Sequence, residues 1–210
     1  SCKYSDLTVF SFHPVKIITT AEGGVLTTNN KNLYNKLCNL RSHGIERLYD
    51  KFKLNNEIND HPIYYEQQEL GFNYRMPDLL ATLGLSQLKK LNVFLNKRNK
   101  IANFYSKKFK NTDLKIPRIT NNSKSSYHLY VLEFPKNRNS IIKYLRNLGI
   151  MVSIHYIPIH YHPYYQSLGF NYGDFINSEN YYKNCLSIPI YPSLSLEDQE
   201  YVADTILNLL

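Results

Sequence analysis

Long apolar runs are missing from this chain. Nowhere in its 210 residues is there a stretch near the ~20 consecutive apolar residues that a bilayer-spanning helix needs, so no membrane partner is expected. The opening residues, SCKYSDLTVF, lack the long apolar segment of a secretory signal. Cysteine is scarce: Cys2, Cys38 and Cys185 are odd in number and far apart. That usage argues against a disulfide framework, matches no metal-binding spacing, and fits a reducing, cytoplasmic setting. Dinucleotide fingerprints, phosphate-binding P-loops and serine nucleophile elbows are absent as well. So are internal repeats and low-complexity segments.

What remains is an ordinary globular composition, 43% apolar and 20% charged, long enough for one large domain or two small ones. Lysine and arginine number 25 against 17 acidic residues, a net charge of +8. Such a balance raises nucleic acid as a partner. The lysines are dispersed, however, with small groups at Lys89 and Lys90 and at Lys107, Lys108 and Lys110, read as lying on one helix. Dispersed charge is a solvated face as readily as a nucleic-acid footprint, and it equally suits an anionic, nucleotide-linked substrate. No nucleic-acid partner is expected.

Along the chain, LTVFSF has the alternation of a half-buried strand. The β-rich runs at 17–20 and 25–28 flank AEGG and predict a hairpin. Leu33, Leu37 and Leu40 recur at helical spacing, with Gly44 as a stop. Residues 45–70 read as a long polar loop. After Pro77 a helical stripe (Leu80, Leu83, Leu88, Leu91, Phe94 or Leu95, Ile101, Phe104) is too long for one uninterrupted helix, so a break is expected near 92–96. Gly84 marks a point of close packing. Residues 111–126 have linker composition. The remainder reads as α+β: a strand in YHLYVLEF, a helix in RNSIIKYLRNLG, a second strand in IMVSIHYIP, and a helix running into an extended segment in SENYYKNCLSIPI. A last helix follows, capped by Ser195 with Asp198 in the capping-box position.

Candidate chemistry gathers in three stretches. FSFHPVK sets Lys16 behind Pro14 and five residues after Ser11. An amine nucleophile must be neutral, which burial or a cationic neighbour achieves, whereas a strand-edge lysine needs neither. GFNYRMPD places Asn73 and Arg75 just before a helix, either as the capped start of that helix or as polar groups aimed at an anion. LRSHG, with Arg41 and His43, can likewise be no more than a helix end. HYIPIHYHP holds His155, His160 and His162. Their spacing is not a zinc pattern, and the prolines make a stiff loop of the kind that contacts substrates.

Taken in order, SFHPVKIITTAEGGVLTTN, QELGFNYRMPDLLATLGLSQLKKL and HYIPIHYHPYYQSLGF resemble the DegT/DnrJ/EryC1/StrS nucleotide-sugar aminotransferases over nearly the whole chain. The resemblance implies an α/β fold, the type I (aspartate aminotransferase-like) fold of transferases dependent on pyridoxal 5'-phosphate (PLP). Residues 1–95 would be the C-terminal part of the large cofactor-binding domain, and residues 96–210 the small α+β domain. Lys16 matches the lysine that carries PLP covalently, Ser11 the serine at the cofactor phosphate, and Asn73 the asparagine of the GxNxR motif, which reaches the phosphate from the other subunit of a homodimer. His155, Tyr156 and Arg75 fall in segments that border the substrate.

The implied reaction moves an amine from a donor, glutamate, to C4 of a UDP-linked 4-keto-6-deoxy-N-acetylhexosamine. Other sugar aminotransferases, sugar dehydratases of the same fold and a non-catalytic basic binding module are the alternatives. In the dehydratases a histidine typically replaces the lysine, so Lys16 argues against them. Other cofactor-binding groups of the family lie well upstream of the lysine, and only fifteen residues precede Lys16. The expectation is therefore a C-terminal half that binds PLP poorly by itself and does not turn over.

Overall fold

The computed structural model describes residues 2–54 and 62–210, which fall into two compact units, Ser1–Lys90 and Leu91–Leu210.

In the first unit β1 (Thr8–Ser11) pairs antiparallel with β2 (Gly24–Thr27), Thr8 opposite Thr27 and Ser11 opposite Gly24. The hairpin thus uses the LTVFSF run, and residues 17–20, expected as one of its strands, lie in the connection. Local bonds account for the difference. The Lys16 N–H donates to the His13 carbonyl (3.0 Å), closing a turn through Pro14 and Val15, and proline's fixed φ suits that turn. Phe12 N–H then bonds Gly23 O (2.9 Å) and Thr20 N–H bonds Phe12 O (3.0 Å), which closes 12–23 into a loop. Thr20 is buried in it, its hydroxyl donating to Glu22 O (2.8 Å).

Helix α1 (Lys31–Arg41) starts where expected. Asn30 caps it, its Oδ1 accepting from Asn32 N (2.9 Å) and Leu33 N (3.2 Å). The polar stretch after it is less irregular than its composition predicts: β3 (Ile45–Glu46) pairs with β4 (Glu66–Gln67). Part of that stretch, 55–61, lies outside the described residues. Helix α2 (Asp78–Leu88) follows Pro77, and a Cβ placed on Gly84 would sit 2.7 Å from Thr20 Cγ2, so the glycine does mark close packing.

The helical run divides between Leu88 and Leu91, at Lys89 and Lys90, a few residues earlier than expected. A tightened bond from Lys90 N to Gln87 O (2.9 Å) ends α2 there. The two lysine groups therefore do not share a helix. Leu83 and Leu88 belong to the predicted stripe, yet both are exposed. Among the described residues, the first unit buries no hydrophobic side chain at all.

The second unit holds the core. Helix α3 (Leu91–Phe109) contributes Ile101, Tyr105 and Phe109, and α7 (Leu196–Leu207) contributes Val202, Ala203 and Ile206. Ile141 and Leu145 of α4 (Arg138–Asn147) join them. Strand β5 (Tyr130–Glu133) pairs antiparallel with β6 (Cys185–Ile188), and both are central to the core. The second strand expected in IMVSIHYIP does not form. Only Ser153 bridges β6, exchanging two backbone bonds with Ser187 (2.8 and 3.1 Å) before the chain turns away. The head of the supposed linker is tied down too: Leu114 is buried, and Lys115 pairs with Glu133.

Burial of polar groups here follows the need for partners. Arg98, 5% exposed, donates from one Nη to the carbonyls of Tyr127, His128 and Ile190 (3.1, 3.2 and 2.9 Å). Tyr105 donates to Pro189 O (3.0 Å), and burial pushes its phenol far up. The Tyr130 phenol is pushed up to about 12, mainly by burial. The short α5 (Pro163–Gln166) and α6 (Ile176–Asn184) complete the unit, and the Ser195 cap of α7 is as expected, its Oγ accepting from Asp198 N (3.0 Å). No helix among the described residues is long and apolar enough to cross a membrane.

Candidate functional site

Ser11 is the last residue of β1, and Lys16 closes the turn that follows it. The Ser11 hydroxyl is exposed, its oxygen 3.4 Å from the His13 N–H. Lys16 is half-buried. Its backbone is held by the His13 carbonyl, and Thr19 anchors the same loop by donating its hydroxyl to Phe12 O (2.9 Å). The loop thus fixes the backbone at the root of this amine. Among the described residues no carboxylate stands within ion-pair distance of that amine.

Asn73 and Arg75 sit in the segment between β4 and α2. Its backbone is stitched to the end of α1: Phe72 N to Leu40 O (3.0 Å), His43 N to Phe72 O (3.0 Å) and Tyr74 N to Arg41 O (2.9 Å), with Asn73 bridging Ser42. Two glycines permit this approach. Gly44 has φ +68°, the left-handed region that suits glycine, and a Cβ on it would land on the Glu69 carbonyl. A Cβ on Gly71 would fall on Gly44 N and 2.6 Å from Leu40 O. Arg41 and His43 thus serve through their backbones here. The Asn73 and Arg75 side chains are exposed. The two segments meet at Met76, whose Cε would lie 2.6 Å from a Cβ on Gly23. Among the described residues no hydrogen bond joins Asn73 to Ser11 or Lys16.

His155 and Tyr156 lie in the second unit. His155 is half-buried, with Nδ1 2.8 Å from Ser187 Oγ on β6. Tyr156 is 70% exposed, its ring edge-on to the imidazole at 4.7 Å. His160 is engaged elsewhere, its Nε2 2.8 Å from Glu179 Oε1. Sequence reasoning passed over Glu179 and Ser187. Each is distant in the chain from the histidine it meets, and SENYYKNCLSIPI marks neither as a partner. The His160 hydrogen bond, helped by the Gly173 amide (2.7 Å), holds the Glu179 carboxyl below the usual carboxylate range despite burial. Burial pushes the neighbouring Tyr161 phenol up. Among the described residues no cluster of three or more His, Cys, Asp or Glu is arranged to hold a metal ion.

The donor set in the first unit is an amine on a fixed turn, a strand-end hydroxyl and an exposed amide. An amine can bond a carbonyl carbon, and hydroxyl and amide hydrogens can donate to phosphate oxygens.

Residues 1–207 match the model of the DegT/DnrJ/EryC1/StrS aminotransferase family. The chain is 41% identical, over 99% of its length, to a UDP-4-amino-4,6-dideoxy-N-acetyl-beta-L-altrosamine transaminase of Campylobacter jejuni, covering 53% of that protein. It is 37% identical over 97% of its length to the spore coat polysaccharide biosynthesis protein SpsC of Bacillus subtilis, covering 54% of it. Among solved structures, the Helicobacter pylori aminotransferase PseC of pseudoaminic acid biosynthesis superposes with a TM-score of 0.86 at 32% identity, over 98% of this chain and 53% of that one. The PLP form of a Streptococcus pneumoniae sugar aminotransferase, Spr1654, superposes with a TM-score of 0.88 at 27% identity, over 100% of this chain and 53% of that one. The chain therefore spans about half the length of the curated relatives it matches. Its fold is that of the type I, aspartate aminotransferase-like transferases. By the family match over nearly its full length, the chain belongs to the DegT/DnrJ/EryC1/StrS aminotransferase family.

Proposed function

We propose that this chain is the C-terminal half of a cytoplasmic, PLP-dependent nucleotide-sugar aminotransferase. The enzyme replaces the C4 carbonyl of a UDP-linked 4-keto-6-deoxy-N-acetylhexosamine by an amine taken from glutamate, in a pathway of the pseudaminic acid type. The observation that carries this reading is the half-buried Lys16, set by a closed loop just beyond Ser11, in a chain of this family. The first unit is then the end of the cofactor domain and the second the small domain.

Lys16 Nζ would hold the cofactor through its aldehyde carbon, with loss of water, Ser11 Oγ would donate to its phosphate, and Asn73 of a second copy would supply a further donor in a homodimer with shared sites. Bound PLP supplies the electron sink that lets an amine and a carbonyl exchange. Lys16 would also act as the base, taking a proton from the donor α-carbon in the first half-reaction and delivering one to the sugar C4 in the second. Its fixed root lets one amine on a flexible stem serve both positions, the benefit of proximity. His155 and Tyr156 are the second unit's substrate-binding residues, and Arg75 is the first unit's. The positive net charge favours that anionic substrate.

Borohydride reduction of the 210-residue chain with PLP, followed by peptide mapping, tests the assignment. Label concentrated on Lys16 and lost in Lys16→Ala supports it. If label scatters over surface lysines, the same reduction is run on the chain completed by the half that its relatives possess. Scattering there too overturns the role of Lys16.

A further inference from the structure

One buried ionisable pair has no part in the chemistry above. His160 and Glu179 are 5% and 4% exposed, and Nε2 and Oε1 are 2.8 Å apart. The same Oε1 accepts the Gly173 N–H at 2.7 Å. A carboxylate held below its usual range can only accept, so Nε2 of His160 carries the proton between them. One side chain on α6 thereby ties together three points of the chain: a 3-10 turn at Ile159–Tyr161, the bend at Gly173, and α6 itself. The Phe175 ring, 4.9 Å from the imidazole, covers the pair.

The position of this tie is what matters. His160 is four residues after Tyr156 and five after His155. His155 is held at the other end by Ser187 on β6. Between the two anchors run only residues 156–159, stiffened by Pro158 and carrying Tyr156 outward, 70% exposed. A buried polar pair adds little net stability over an apolar pair of similar volume, and neither residue belongs to the hydrophobic core. What directional bonds provide is a single geometry.

We propose that His160 and Glu179 form a positioning pair: by fixing the 156–161 loop, they hold His155 and Tyr156 where the sugar of the nucleotide-sugar substrate meets them. The substrate role rests on the function proposed above. The pair itself touches neither substrate nor cofactor.

Two measurements on His160→Ala, His160→Gln and Glu179→Ala test it. In the 210-residue chain, amide exchange of H160A and E179A rises at 155–161 and 170–175 and stays at the wild-type rate in β5 and α7. In the completed enzyme, KM for the keto sugar rises about tenfold or more in H160A, as expected when a binding group is displaced by a fraction of an ångström. The rate and KM of the donor half-reaction stay put. H160Q, which keeps a donor toward Glu179, recovers most of the loss.

Exchange that rises throughout the second unit, or at neither segment, overturns the pair as a local tie. An equal fall in both half-reactions overturns its substrate role. A wild-type enzyme that runs neither half-reaction sinks the transaminase reading and the substrate role with it. The exchange result still decides whether the pair fixes the loop.

Discussion

Glu46 and Glu66 show how single residues organise a stretch that composition marks as a plain loop. Both are buried. Glu46 Oε1 accepts from Arg47 N and Leu48 N, each at 2.9 Å, and Glu66 accepts from Lys53 N (2.7 Å) and Leu54 N (2.9 Å). The Leu48 amide above all, with Arg47 and Lys51 behind it, holds Glu46 below the usual carboxylate range against the opposing effect of burial. A carboxyl whose folded pKa is depressed stabilises the fold fully above its unfolded pKa, and that stability is lost as pH falls through the lower folded value. The exchange protection of residues 45–54 should therefore decline below about pH 4.5, the ordinary carboxylate value. Glu46→Gln keeps one acceptor and loses the charge. It should cost about 1 kcal/mol at neutral pH and flatten that acid decline. A variant that tracks wild type at every pH would refute the account. The Ser195 cap was legible from sequence because a cap is a local relation. Glu179 was not, because nothing near it in the chain names His160.

At the scale of elements, the segment carrying Asn73 and Arg75 depends on two glycines more than on its polar side chains. Gly71 and Gly44 let its backbone lie against the end of α1 with no room for a Cβ. Gly71→Ala should shift that backbone and destabilise the local structure by about 2 kcal/mol, in the range of core overpacking. In the chain completed by the half that its relatives possess, exchange at 40–44 and 71–75 would rise, while α7 would not change. Unchanged exchange at those residues would mean that the segment yields easily. The helices were the most legible elements: α1, α4 and α7 lie where spacing and caps put them. Strands were less so. The run at 17–20 has β-rich composition but spends its amides on loop closure, and IMVSIHYIP manages a single bridge. Strand pairing is settled by which backbone arrives alongside, and composition does not record that.

At the scale of the molecule, the two units differ in kind. All the buried hydrophobic side chains among the described residues belong to the second, and the first leaves Leu7, Val9, Phe10, Leu79 and Leu85 exposed. Burial of apolar surface is the main force that holds helices and hairpins in place. In the 210-residue chain, amides of α3, β5, β6 and α7 should exchange slowly and those of α1, α2 and the β1–β2 hairpin near the unfolded rate. Adding the half that relatives possess should slow the second group at least tenfold, as a partner that binds only the folded form stabilises it. Steady turnover by the unaided chain, or equal protection in both units, would contradict this. Residue order alone established the family motifs, the lysine behind the proline, the helical periods and their caps, because each is written in spacings of a few residues. The three-dimensional structure alone decided that β1 takes β2, that Ser187 holds His155, that His160 takes Glu179, and that Leu79, Leu83, Leu85 and Leu88 of α2 stay uncovered. Those outcomes depend on which distant groups meet, and a short-range pattern carries no information about partners far along the chain.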